Sequence, residues 1–291
     1  MQTLDAADRV GLGWRGELAA AILEHLGSLD VLEVIAEDWV HGNRRDSAAL
    51  ATLSRACPVL LHGVSLGLAS SEPVCRRRLD RMARLVARVE PELWSEHLAF
   101  VRAGGIEIGH LAAPPRTEAT VAGALANLEQ AKRVVGALPW IENIATLIDP
   151  PASTLDEGLW TSAIVANSGA PMLLDLHNLY ANALNFGTEP LELMRAMPLD
   201  RVSLVHLSGG RWIAPGSRKA RLLDDHLHDV PGQVFGLLER LAQSVEQPLT
   251  VIIERDGNYP PFEALLAQLD LARAALARGR VLRAEQTRQA A

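Results

Sequence analysis

Eight short apolar runs rich in Val, Ile and Leu recur along this 291-residue chain, bounded by turn residues and separated by helical patterns. They are Val10–Trp14, Val31–Ala36, Pro58–Val64, Leu93–Val101, Pro139–Ile144, Pro171–Leu176, Arg201–Leu207 and Leu249–Glu254. Most are continuously apolar, as in strands covered on both faces of a parallel sheet. Leu93–Val101 is the exception, because Ser95, Glu96 and His97 interrupt it. Helical spacing runs through Glu17–Leu26, closed by Gly27 as a C-cap, and through Arg77–Val89, with Leu79, Met82, Leu85, Val86 and Val89 on one face. Thr117–Leu138, Thr188–Met197, Val234–Val245 and Phe262–Ala277 follow the same period, and Thr154-Leu-Asp-Glu157 reads as a capping box opening a further helix. Strands alternating with helices through short connections mean parallel βα units. Eight units in about 270 residues match one α/β domain, a single (β/α)8 TIM barrel. Its core spans about residues 8–278, and the charged stretch 279–291 is expected to be a frayed C-terminal tail. An open doubly wound sheet is the alternative, but no Gly-x-Gly-x-x-Gly follows the first run.

The titratable residues sit where such a barrel keeps its active site. His62 ends the third run, His97 lies in the fourth, Glu142 ends the fifth, Asp175 and His177 end the sixth, and His206 ends the seventh. Asp224 and His226 follow shortly after, and Glu254 ends the eighth. The C-terminal ends of barrel strands converge on one mouth. Imidazoles and carboxylates crowded there repel or titrate away unless a cation fills the site. Mixed imidazole and carboxylate without thiolate suits Fe, Mn, Zn or Co better than Mg or Ca. The candidates outnumber the ligands one ion needs, so two or three ions sharing carboxylates are expected, with Glu142 placed to bridge. His25, His41 and His110 fall on a helix or loops outside the pattern.

No Gly-x-Ser-x-Gly elbow or P-loop is present. Gly11-Leu-Gly13-Trp-Arg15 superficially resembles a phosphate loop, but the glycines are read as letting the first strand pack tightly, with Arg15 available to a carboxylate. Glu37 and Asp38 are either acids supporting the ligands or helix-capping acids. A net charge of −7 argues against a nucleic-acid backbone as the main partner. No apolar stretch approaches a membrane span, and the polar start Met1–Arg9 lacks the pattern of a signal peptide, which together read as a cytoplasmic protein. Cys57 and Cys75 show no metal spacing and are taken as reduced structural thiols.

Taken in order, Gly11–Arg15, Leu32–Glu37, Leu61–Leu66, Ser95–His97, Glu142-Asn143, Leu174–Asn178, Val205–Leu207, Asp224–His226 and Ile253-Glu254 resemble the multinuclear non-haem iron-dependent oxidases, TIM-barrel enzymes of the methanobactin-biosynthesis type. The resemblance implies that His62, His97, Glu142, Asp175, His206 and Glu254 hold two irons. It implies that His177, Asp224 and His226 hold a third, more labile ion, with Glu142, Asp175 and His206 closest to catalysis. It further implies O2 as co-substrate, oxidative modification of cysteine in a ribosomally made precursor peptide, and a separate protein that presents that peptide. Asp38 stands where that family often has Asn, and the loop Ser208–Arg221, with Arg211, Trp212, Arg218 and Lys219, matches no motif of it. The rival reading is a zinc- or manganese-dependent hydrolase or isomerase of the sugar-isomerase and endonuclease type. A barrel that binds metal or peptide without turnover is the non-enzymatic alternative.

Overall fold

The computed structural model describes residues 7–42, 44–217 and 220–290. Eight parallel strands close into a barrel: β1 (Arg9–Gly13), β2 (Leu32–Ile35), β3 (Val59–Gly63), β4 (Trp94–His97), β5 (Trp140–Glu142), β6 (Met172–Asp175), β7 (Val202–Leu207) and β8 (Thr250–Ile253). Each pairs with its sequence neighbour, and β8 returns to β1 with Arg9 opposite Thr250. The main core lies between the strands and the surrounding helices, and all eight expected runs supply strands to it.

A second apolar cluster fills the barrel itself. Val31, Leu60, Leu93, Leu173, Leu204 and Ile252 are buried together, with Trp140 packed on them. Residues from seven neighbouring strand positions can meet only inside a closed barrel. Side chains alternate along a strand, so the residues two positions on also point inward, one layer nearer the mouth. Those residues are Glu33, His62, Ser95, Glu142, Asp175, His206 and Glu254, all buried. Gly11 in β1 permits the closure: a Cβ there would collide with the Val31 carbonyl and side chain.

Two antiparallel ribbons stand on the mouth. Phe100–Ala103 pairs with Ile106–Ala112, and Gly210–Ile213 pairs with Arg221–Asp224. The first corrects the reading of Leu93–Val101 as one strand, because β4 stops at His97 and the chain turns into the ribbon. The second occupies much of the Ser208–Arg221 loop; Arg218 and Lys219 lie outside the described residues.

The helices differ from expectation in several places. Gly27 is no C-cap, since the helix Ala19–Glu24 ends at His25 and Gly27 lies in a following 3-10 turn. The box at Thr154 does not form. Asp156 caps the helix Glu157–Ser168 instead, accepting from the Leu159 amide at 2.7 Å. Helices Ala36–Trp39, Arg44–Ala56 and Leu176–Phe186 carry no expectation from the periodicity. Residues 279–290 are not a frayed tail: the helix Phe262–Ala290 runs on through them. Its Gly279 crosses directly over the Glu239 carbonyl, and Arg280 binds Asp8 and the Ala242, Val245 and Gln247 carbonyls. Among the described residues no helix is long and apolar enough to cross a membrane.

Candidate metal centre

The inward layer at the mouth forms a connected set of imidazoles and carboxylates. Glu142 is its hub. Its Oε2 lies 3.5 Å from His62 Nε2 and 3.3 Å from His97 Nε2. Its Oε1 lies 3.3 Å from His206 Nδ1, which is also 3.1 Å from Glu254 Oε2. The two oxygens of one carboxylate therefore face two different groups. His62, His97 and Glu142 form one potential seat; Glu142, Asp175, His206 and Glu254 form another, the ligand atoms within each lying within 4.8 Å of one another.

The histidine hydrogen bonds test whether a cation fits. His62 Nδ1 pairs with Ser95 Oγ at 2.8 Å, and His97 directs Nδ1–H to the Gly63 carbonyl at 3.3 Å. His206 donates Nε2–H to Glu33 at 3.0 Å. His177 donates Nδ1–H to Asp224 Oδ1 at 2.7 Å, and His226 donates Nε2–H to Asp224 Oδ2 at 2.8 Å. In each ring one nitrogen is committed to a hydrogen-bond partner, leaving the other for the mouth. Metal-ligating histidines are oriented in this way. Buried polar atoms are normally hydrogen-bonded, yet His177 Nε2, His206 Nδ1, His226 Nδ1, Glu142 Oε2 and Asp175 Oδ2 have no hydrogen-bond partner. Atoms of this kind, gathered in one place, fit cation ligands.

The electrostatics agree. Burial works against protonating His97, but Glu142 and Glu96 hold it up at about 9. Burial likewise opposes protonation of His206 and His226, but the surrounding carboxylates, Glu254 foremost for His206 and Asp224 for His226, hold both well above the ordinary imidazole range. Asp175 is pushed well up by burial, reinforced by Asp224 and Glu142. Burial also raises Glu254, but His206 and His226 outweigh it and hold that carboxyl well below its usual range. Without a cation the ring must take up protons to balance its own charge. A bound cation would replace them.

Local backbone chemistry sets several of these groups. Asp175 caps the helix Leu176–Phe186 by accepting from the Asn178 amide at 2.7 Å, which leaves Oδ2 for the mouth. Asn143 clamps the Asp175 backbone at both its amide and its carbonyl, at 2.9 and 3.0 Å. His226 adopts a left-handed backbone with φ 54°, costly for a non-glycine residue and held by bonds to Gly209 and Asp256. Its Nδ1 lies 3.2 Å from Asp256, whose other oxygen accepts from Arg15 Nε at 2.8 Å. Arg15 thus meets a carboxylate, as its place after β1 suggests.

All nine sequence candidates, from His62 to Glu254, line this mouth region. His177, Asp224 and His226 form a hydrogen-bonded group beside the inner seats, His177 on the helix after β6, Asp224 at the end of the second ribbon and His226 two residues beyond it. Glu33 was missed. It is buried mid-strand and forms a third possible seat with His62 and His206. Val31-x-Glu33 repeats the two-residue step of Leu60-x-His62 and Leu204-x-His206, and that repeat was the available signal. Glu37 braces the chain after β3 by accepting from the Val64 amide at 3.1 Å, while Asp38 is exposed, with its carboxyl raised by partial desolvation against the pull of Arg15. His25 stacks on Phe262 and His41 bonds Arg81, both away from the centre. His110 departs from its expected place, since the first ribbon carries it to the wall of the cavity above the ligands.

These features define a barrel with a buried histidine and carboxylate centre at the C-terminal mouth. The chain belongs to the MbnB/TglH/ChrH family of RiPP precursor modification enzymes, whose model matches residues 9–277. It is 34% identical over 279 residues to a UPF0276 protein of Caulobacter vibrioides, covering 96% of this chain and 98% of that one. It is 33% identical over 276 residues to a UPF0276 protein of Bordetella bronchiseptica, covering 95% of each. Among solved structures it is similar to L-ribulose 3-epimerase, with a TM-score of 0.59 at 14% identity over 98% of each chain. It is also similar to a xylose isomerase domain containing protein of Salmonella typhimurium, with a TM-score of 0.60 at 15% identity over 94% of this chain and 99% of that one. At such identities these structures show the fold alone.

Proposed function

We propose that this protein oxidises cysteine residues of a ribosomally made precursor peptide, using O2 and two or three iron ions held in the mouth. The observation that carries the reading is Glu142, whose two oxygens face separate groups of ligand residues. His62 and His97 would hold one ion, and Asp175, His206 and Glu254 the other, with Glu142 shared. His177, Asp224 and His226 would hold a third, more readily lost ion. Iron so bound supplies a site for O2 and a cation that favours the thiolate of a substrate cysteine. The chain's own contribution is positional. Glu33, Ser95 and Asp224 fix the histidine rings, Asn143 and the helix cap fix Asp175, and the apolar layer beneath closes the barrel floor to water. Cys57 is buried, with its thiol pushed up to about 11 by burial, and Cys75 lies outside the ring, so the reacting sulfur belongs to the substrate. A separate protein would present the peptide.

The test is co-production with a cysteine-containing precursor from the same genomic neighbourhood and its presenting protein, followed by mass spectrometry under air and under nitrogen. An oxygen-dependent mass change mapping to cysteine is the expected result, with iron in excess of one ion per chain by elemental analysis. One zinc ion per chain and turnover that proceeds without oxygen would favour the hydrolase or isomerase reading. That reading draws on the group of Glu142, Asp175, His206 and Glu254, which could hold a single ion.

A further inference from the structure

Above the ligands lies a cavity of about 530 Å³. His97, Glu142, Asp224 and His226 form its floor. Its walls are mostly apolar, with Phe100 and Leu111 from the first ribbon, Ile144, Leu147 and Ile148 from the loop after β5, and Leu222 from the second ribbon, interrupted by His110 and Thr146. Among the described lining residues there is no Lys or Arg. Arg102, on the first ribbon, is turned away, donating to the Ser65 and Leu66 carbonyls and to Glu107. Leu147 and Ile148 remain 39% and 71% exposed, large side chains left in water at the rim of a ligand-lined cleft.

We propose that this cavity seats a large apolar side chain of the precursor, carried by a residue adjoining the one that is modified, and so selects the peptide. The inference rests on the reading of the centre as the place where a peptide is modified. The cavity is continuous with the ligand floor, so a side chain lodged between the ribbons brings the next residue, one step of 3.8 Å along the chain, against His97 and Glu142. The volume falls within the range of pockets that enclose a small ligand, enough for a side chain with its adjoining backbone and too little for a folded domain. A glycine beside the reacting residue would leave these apolar walls in contact with water. A leucine or phenylalanine would instead lose its exposed surface against Ile144, Ile148 and Leu222.

The test uses short synthetic peptides in which serine replaces the reacting cysteine, so that binding is read without oxidation. Their affinity for the iron-loaded protein is measured under nitrogen, with Phe, Leu or Gly beside the serine. Phe and Leu peptides should bind about 10- to 100-fold more tightly than Gly peptides. Ile148→Asp, at an exposed position that leaves the fold intact, should remove most of that preference. Equal affinities, no binding of any peptide at millimolar concentration, or an undiminished preference in Ile148→Asp would overturn the proposal. The two readings fail separately. Oxidation of cysteine peptides without discrimination keeps the proposed reaction and rejects the pocket, whereas discrimination without oxidation does the reverse.

Discussion

Replacing Glu33 separates an orienting carboxylate from a ligating one. Glu33 and His206 are both buried, and the imidazole donates Nε2–H to the carboxylate at 3.0 Å. That bond fixes the ring so that Nδ1 faces Glu142 and Glu254. Glu33→Leu removes the acceptor, frees the ring, and leaves a buried N–H unpaired at a cost of about 1–3 kcal/mol. Loss of a carboxylate behind a ligating histidine lowers metal affinity about 10- to 100-fold, which is about 1.4–2.7 kcal/mol of binding energy. Glu33→Gln keeps an acceptor oxygen in the same place and should hold iron within a few-fold of the parent. The assay titrates iron-loaded protein with a competing chelator and counts the iron that remains. If Glu33→Gln loses iron as completely as Glu33→Leu, the reasoning fails. The carboxylate oxygen would then be a ligand itself, as its grouping with His62 and His206 permits.

Glu142→Ala should cost more than one ion per chain in elemental analysis, because its two oxygens serve different ligand groups; loss of one ion or none would show that it is no bridge. His25→Ala and His41→Ala should leave bound iron unchanged, since one stacks on Phe262 and the other bonds Arg81, and a clear fall in either would place it at the centre. Glu157 is pushed up to about 7 by burial, against the pull of Arg116, so its ionisation costs the fold nothing below about pH 4.5 and progressively more as pH rises to about 7. Glu157→Gln should therefore raise the midpoint of urea unfolding at pH 8 by an amount worth about 1–3 kcal/mol and leave it unchanged at pH 4.5; equal midpoints at pH 8 would refute the shift.

Much of the barrel was legible because burial on both faces writes itself as unbroken apolar runs, and all eight runs became strands. The ribbons were not, because Ile106–Ala112 is mostly exposed and packs too little to impose a pattern. With the ribbons unseen, His110 could not be placed above the ligands. The strand-end residues His62, Asp175, His206 and Glu254 stood out as charges closing apolar segments. Glu33 has the same inward register but sits between Leu32 and Val34, where a lone acid reads as an interruption. Its role depends on the closed barrel bringing β2 to face β7. The helix beginning at Phe262 was cut short because charge alone suggested fraying, whereas the decisive contact of Gly279 with Glu239 is tertiary.

Apart from His177, on the helix after β6, the ligand candidates have two structural origins. His62, His97, Glu142, Asp175, His206 and Glu254 stand on or directly at the end of the barrel wall, where moving one would disturb the packed floor below it. Asp224 closes the second ribbon and His226 follows two residues later, outside the closed sheet. That ribbon is a replaceable cassette. A change in its length or sequence could retire the outer group or re-aim it while the inner six stay in register, so lineages built on this barrel can diversify their chemistry from the rim without rebuilding the vessel.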